Sequence, residues 1–122
     1  FIWSAGDAQA SLEYWAGRYD FMGGGYDMYL AGAEASLVKW QNVVCTATQG
    51  VKASIYVNGV FIGADTSITT STLTSLVIGS KKDGTSSLTG LIDNVMCWNR
   101  ALTNGEIAEL YINPFAMFEE EV

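Results

Sequence analysis

Residues 51–63, VKASIYVNGVFIG, decide the fold class. A run rich in apolar and β-forming residues, Val51 to Val57, meets Asn58-Gly59, and a second run, Val60 to Gly63, follows at once. A two-residue hairpin turn needs positive φ at both central positions, and Asn-Gly adopts it at the least steric cost. The spacing therefore predicts Ile55-Tyr56-Val57 paired antiparallel with Val60-Phe61-Ile62.

The same alternation and turn punctuation extend on both sides of this hairpin, the signature of an all-β domain. Upstream, Trp40 to Thr48 (WQNVVCTAT) is dense in β-branched residues and ends at Gln49-Gly50. Earlier still, Phe1 to Ser4 reads as a strand closed by Ala5-Gly6-Asp7, Ser11 to Ala16 as a second strand, and Asp27 to Ala31 as a third, resumed after the break Gly23-Gly24-Gly25. Downstream, Leu76 to Gly79 and Leu88 to Trp98 are further strands, separated by the polar loop Ser80 to Ser87. Within Leu88 to Trp98, Ile92 and Val95 are an odd number of positions apart, so a regular strand would put them on opposite faces. A bulge at Asp93-Asn94 is expected there, because two polar residues would be costly in a strand buried on both sides.

One stretch is helical. Thr103 with Glu106 three residues on forms a capping box, and Ile107, Leu110 and Tyr111 share a face behind it. Asn113-Pro114 ends the helix. The expected architecture is a single domain over residues 1–122: an antiparallel two-sheet jelly-roll sandwich with one short C-terminal helix, and residues 112–122 as a tail.

Composition bounds the function. At 122 residues the chain supports one core. It is 49% apolar and 16% charged, which argues for a globular domain. No apolar run approaches the roughly 20 residues that span a bilayer. Six Lys and Arg against thirteen Asp and Glu, a net charge of −7, speak against nucleic acid. The run Glu119-Glu120-Glu121 reads as a solvated terminus. The opening Phe1-Ile2-Trp3 carries neither initiator Met nor secretory signal, which suggests a mature or trimmed segment. Cys45 and Cys97 sit in apolar runs; a single disulfide is open to them, and free, buried thiols are the expectation.

From Trp40 onward the order of features resembles the laminin-G-like and pentraxin-like families of concanavalin-A-like jelly rolls. WQNVVCTAT, SIYVNGVFIG, LVIGS, LTGLIDNVMCWNRAL and TNGEIAELY carry that resemblance over about 70 residues, in the order in which those families show them. It implies that Trp40 and Trp98 belong to the core, and that residues 1–39 supply middle strands of the same sandwich. It also implies a strand ahead of the counterpart of Phe1, lying beside the C-terminal strand. An exposed long edge invites aggregation, so that strand is expected to have been trimmed, omitted or replaced by a neighbouring chain.

The chemistry is that of recognition. With no His the usual general base and the commonest zinc ligand are missing. The acidic strand motif of glycosidases on this fold is absent too, and the chain is not expected to be an enzyme. Calcium is the cofactor to consider, since it takes six to eight oxygens, often from loops. The resemblance implies one calcium segment at Ser80-Lys81-Lys82-Asp83-Gly84, where two lysines replace expected oxygen ligands and the site is lost. Asp93 and Asn94 are the second metal candidate; the alternative is that Asp93 caps a bulge through hydrogen bonds. Eight of fifteen aromatic residues fall within the first thirty positions. Tyr14, Tyr19, Tyr26 and Tyr29 are the ligand-binding candidates, because sugar rings stack on exposed aromatic faces. Tyr14 stands in a strand, while Tyr19, Tyr26 and Tyr29 flank the glycine run, where loops would present them; ordinary packing is the competing role.

Two functions suit this chain: a module binding carbohydrate or glycoprotein, or a structural subunit of a fibre, surface layer or virion that contacts neighbouring copies. Either implies an extracellular, cell-surface or virion-surface location, as a homo-oligomer or as part of a larger chain. The apolar ending Asn113 to Phe118 favours the second function if it seeks a neighbour rather than its own domain.

Overall fold

A computed structural model describes residues 3–5, 10–15, 17–23, 26–34, 38–48, 51–66, 76–80 and 84–118. The expected turn at Gly6-Asp7, Gly24-Gly25 of the glycine break, the segment Lys81 to Asp83 and the acidic run Glu119 to Glu121 lie outside the described residues.

Eight strands form two antiparallel sheets: β1 (Trp3–Ala5), β2 (Ala10–Trp15), β3 (Arg18–Gly23), β4 (Tyr26–Glu34), β5 (Val43–Thr48), β6 (Lys52–Val57), β7 (Val60–Asp65) and β8 (Leu76–Ile78). One sheet runs β4-β3-β2-β1-β8 and the other β5-β6-β7. The return of β8 to the side of β1 is the long crossover of a jelly-roll rather than a simple meander. β4 approaches β7 and β6 and so brings the two sheets together.

The Asn58-Gly59 hairpin forms as its sequence dictates, with φ of 52° and 76° at the two turn residues. Val57 pairs with Val60 and Tyr56 with Phe61, but Ile55 then pairs with Gly63. Ile62 is thus the extra residue of a β-bulge, which corrects the expected partnership of Ile55 with Ile62.

Helix α1 (Asn104–Ile112) has both halves of its capping box: Glu106 N–H donates to Thr103 Oγ1 at 3.2 Å, and Thr103 N–H donates to Glu106 Oε2 at 2.8 Å. Ile107 and Leu110 are buried and form a cluster with Tyr56 and Leu102, against which Val44 and Trp98 pack. Fully burying a side chain such as Ile107 contributes about 1.5–3 kcal/mol. Tyr111, expected on the same face, is half exposed and lies instead against the backbone of Gly59. From Ala53 to Val57 β6 is buried without interruption, as a strand covered on both faces must be. A 3-10 turn at Ala116–Phe118 follows the helix, with Phe115 and Phe118 exposed.

Three expectations are corrected. Arg18–Gly23 is a strand of its own, paired with both β2 and β4, where a loop leading to the glycine run was expected. Leu88 to Trp98 is not a strand. Among the described residues its main chain reaches the sheets through Leu88 N–H, which donates to Gly79 O at 2.8 Å, and a strand exists only through a ladder with a partner. Asn94, at φ 49°, interrupts the run where the bulge was expected. Cys45 and Cys97 are free as expected, but Cys97 is exposed rather than buried, because the segment that carries it is not paired into a sheet.

Candidate functional site

The four tyrosines singled out from the sequence all lie in strands. Tyr14 is in β2 and pairs in register with Tyr19 of β3; Tyr26 and Tyr29 are in β4, opposite Gly23 and Asp20. Tyr19, Tyr26 and Tyr29 were expected on loops, and the alternation of Arg18 to Met22 around Tyr19 and Phe21 explains why the chain instead pairs on both sides of the glycines. Tyr19 is only 9% exposed, and its hydroxyl donates to Gln41 Oε1 at 2.9 Å. It therefore acts from beneath the surface, as a support for the segment that carries Gln41.

That segment, residues 38–42, leads into β5 and is fixed at several points. Besides the Tyr19 bond to Gln41, Asn42 N–H donates to Asn58 Oδ1 at 3.0 Å, and Asn58 N–H donates to Asn42 O at 2.8 Å. Asn58 thus has two roles: its positive φ closes the hairpin, and its main chain and side chain clamp Asn42. Above these anchors Trp40 is 66% exposed, flanked by exposed Val38 and Lys39. The resemblance implied a core position for this indole. Instead its ring is offered to solvent on a segment whose backbone is tied to the hairpin turn at Asn58 and whose Gln41 side chain is tied to Tyr19 of β3. An exposed aromatic face on a segment held in this way can stack on a sugar ring with little ordering cost. Polar residues on both sides of Trp40, rather than an apolar run, were the sequence signal for this exposure.

Asp93 and Asn94 are both exposed on the unpaired segment between Gly90 and Trp98. Asn94 is in the left-handed region, which its short amide tolerates. Among the described residues no group of three or more His, Cys, Asp or Glu side chains comes together to ligate a metal.

Elsewhere the polar chemistry serves the fold. Arg100 grips Glu106 with two bonds, Nη1 to Oε2 at 2.8 Å and Nη2 to Oε1 at 2.6 Å. Arg100, then the Thr103 amide, hold the Glu106 carboxyl down to about 2. It stays ionised as a helix cap, with no proton to give near neutral pH. Burial pushes the Cys45 thiol far up, which favours its protonated form near neutral pH. Apolar side chains are exposed in two segments: Leu91 is 80% exposed, with Ile92 and Val95 partly so, and Ile112, Phe115 and Phe118 are exposed at and beyond the end of the helix. No helix among the described residues is long and apolar enough to cross a membrane.

A family model, Laminin_G_3, described as the Concanavalin A-like lectin/glucanases superfamily, matches residues 2–108. No curated protein matches the chain. Among solved structures, the crystal structure of an S-layer domain-containing protein (residues 221–444) from Clostridium thermocellum is similar at 22% identity and a TM-score of 0.54, covering 77% of this chain and 50% of that one. The chain thus spans half the length of that structure, and at this identity the likeness concerns the fold.

Proposed function

This chain belongs to the Concanavalin A-like lectin/glucanases superfamily, and on that premise we propose that it is a non-catalytic recognition module that binds carbohydrate, free or on a glycoprotein, at a cell or particle surface. One observation carries the reading: the Trp40 indole, 66% exposed, stands on a segment clamped through Gln41 and Asn42. A rigid, exposed aromatic platform is what a saccharide face needs for stacking. Tyr14, Tyr26 and Tyr29 belong to the same proposal as sheet positions that extend contact to a longer ligand. A glycan array tests it, run with and without calcium because Asp93 and Asn94 are the positions proposed to offer oxygens to that ion. The expected result is a set of bound glycans that Trp40→Ala removes without lowering the melting temperature. A flat array in both conditions overturns the reading.

The exposed apolar residues Leu91, Ile112, Phe115 and Phe118 favour a second reading, a structural subunit that packs against neighbours. The similar structure is that of an S-layer domain-containing protein, which suits a surface role of this kind. Light scattering decides: a concentration-independent monomer removes this alternative.

A further inference from the structure

Residues 38–42 stand between the two sheets. β4, which they follow, is the outer strand of the five-stranded sheet, and β5, which they precede, is the outer strand of the three-stranded one. Burial does little to hold this connection, since Val38 is 88% and Trp40 66% exposed, with Lys39 exposed between them. Hydrogen bonds hold it instead, and they arrive from both sheets. The Tyr19 hydroxyl, from β3 of one sheet, donates to Gln41 Oε1 at 2.9 Å. Asn58, from the β6–β7 turn of the other, accepts from Asn42 N–H on Oδ1 at 3.0 Å and donates its own N–H to Asn42 O at 2.8 Å. Gln41 and Asn42, the residues so held, are half-buried and directly follow the exposed indole. Surface connections without such anchors are mobile, and one bond of this kind shifts a local opening equilibrium by roughly two- to tenfold.

We infer that Tyr19 and Asn58 are the positioning residues of the Trp40 surface, one from each sheet, so that the indole is held in one attitude only while the two sheets are packed together. Both act through residues 41 and 42, and order present before binding is order that a ligand need not supply. The two roles of Asn58 are separable. Asn58→Gly keeps the positive φ of the turn and the main-chain bond to Asn42 O but removes Oδ1, while Asn58→Asp tolerates the same φ and keeps an acceptor. Tyr19→Phe likewise keeps the buried ring and removes only the hydroxyl. What the surface is for rests on the recognition reading above; the anchoring does not, and its test needs no ligand.

That test is NMR of the whole chain, with a melting curve for each variant. In Asn58→Gly the Asn42 amide should exchange with deuterium about two- to tenfold faster than in the wild type, while the ladder amides of β6 and β7 exchange as before. Asn58→Asp should restore the slow exchange. In the double variant Tyr19→Phe, Asn58→Gly the backbone order parameter at Trp40 should fall from about 0.85 to below about 0.6, with β3 and the hairpin still ordered and a single melting transition retained. Unchanged order at Trp40 in the double variant overturns the inference. So does Asn42 exchange that Asn58→Gly leaves unaltered, or that Asn58→Asp speeds equally. A loss of order spread evenly over β6 and β7 also overturns it, because Asn58 would then act on the turn alone. The glycan array fails separately: a flat array with Trp40 loosened in the double variant keeps the anchoring and removes recognition, and bound glycans with Trp40 unmoved do the reverse.

Discussion

Tyr56 Oη donates a 2.8 Å hydrogen bond to Asn104 Oδ1, joining the middle strand of the three-stranded sheet to the first residue of helix α1 across 48 positions of sequence. The ring of Tyr56 is at the same time buried in the cluster with Ile107 and Leu110, and it meets Phe61 edge-on at 5.4 Å between ring centres. One residue thereby fixes both the depth and the register of the helix on the sheet. Tyr56→Phe keeps the ring and removes the bond. The expected cost is about 1 kcal/mol, read as a lower urea midpoint with an unchanged slope. Asn104→Ala should cost a similar amount, and the double variant less than the two together, because they share one bond.

Gly59 closes the hairpin at φ 76°, and a Cβ there would come within 3.1 Å of Tyr111 Cβ. Gly84 has a similar φ of 79° with nothing within 4 Å of its virtual Cβ. The pair separates backbone strain from crowding. Gly84→Ala should cost about 1 kcal/mol from the left-handed backbone alone. Gly59→Ala should cost roughly 1 kcal/mol more, since Tyr111 is half exposed and can move part of the way. Equal losses in the two melting curves would mean that the helix does not sit on the turn.

The elements that follow from short-range chemistry were legible in the sequence. Asn58-Gly59 specifies its own turn, and Thr103 with Glu106 specifies its own helix start, because the interacting groups are within four residues of each other. Apart from the bulge at Ile62, which is local to the hairpin, the differences are long-range. Leu88 to Trp98 has the composition of a strand, but composition does not supply a partner. Arg18 to Met22 alternates well enough to be a strand, yet the neighbouring glycines equally suit a loop, and only pairing with β2 and β4 decides between them. The Tyr19 bond to Gln41 and the Asn58 clamp on Asn42, which hold Trp40 at the surface, join residues 22 and 16 positions apart. Nothing local to Trp40 announces them beyond its polar neighbours.

Glu106 gives a pH dependence of definite sign. Arg100, then the Thr103 amide, depress its carboxyl to about 2, against about 4.3 in an unfolded chain. A group whose folded value is the lower one stabilises fully above its unfolded value, and that contribution disappears as pH falls from about 4.3 towards 2. Glu106→Gln retains a side chain that can accept from Thr103 N–H but has no charge to lose. Over pH 6 to 2 the urea midpoint of the wild type should fall more steeply than that of Glu106→Gln, and 1 M salt should narrow the gap because the pair is exposed. Parallel profiles would show that the Arg100 contact contributes nothing in solution.

Ser54 offers the opposite kind of substitution, one expected to do no harm. It is wholly buried in β6, opposite Thr46 and Ala64, and its hydroxyl oxygen has no hydrogen-bond partner among the described residues. Its backbone is secured by the ladders on both sides, so the hydroxyl has been taken out of water without a replacement bond. That desolvation costs on the order of 1–3 kcal/mol relative to a bonded hydroxyl. Ser54→Ala removes the oxygen and leaves a void of about one atom, whose lost packing offsets part of the gain. The expected outcome is an unchanged urea midpoint or one raised by up to about 1 kcal/mol in stability. A loss of more than about 1 kcal/mol would mean that the hydroxyl is bonded in solution, and that β6 is covered differently on the face that Ser54 shares with Tyr56.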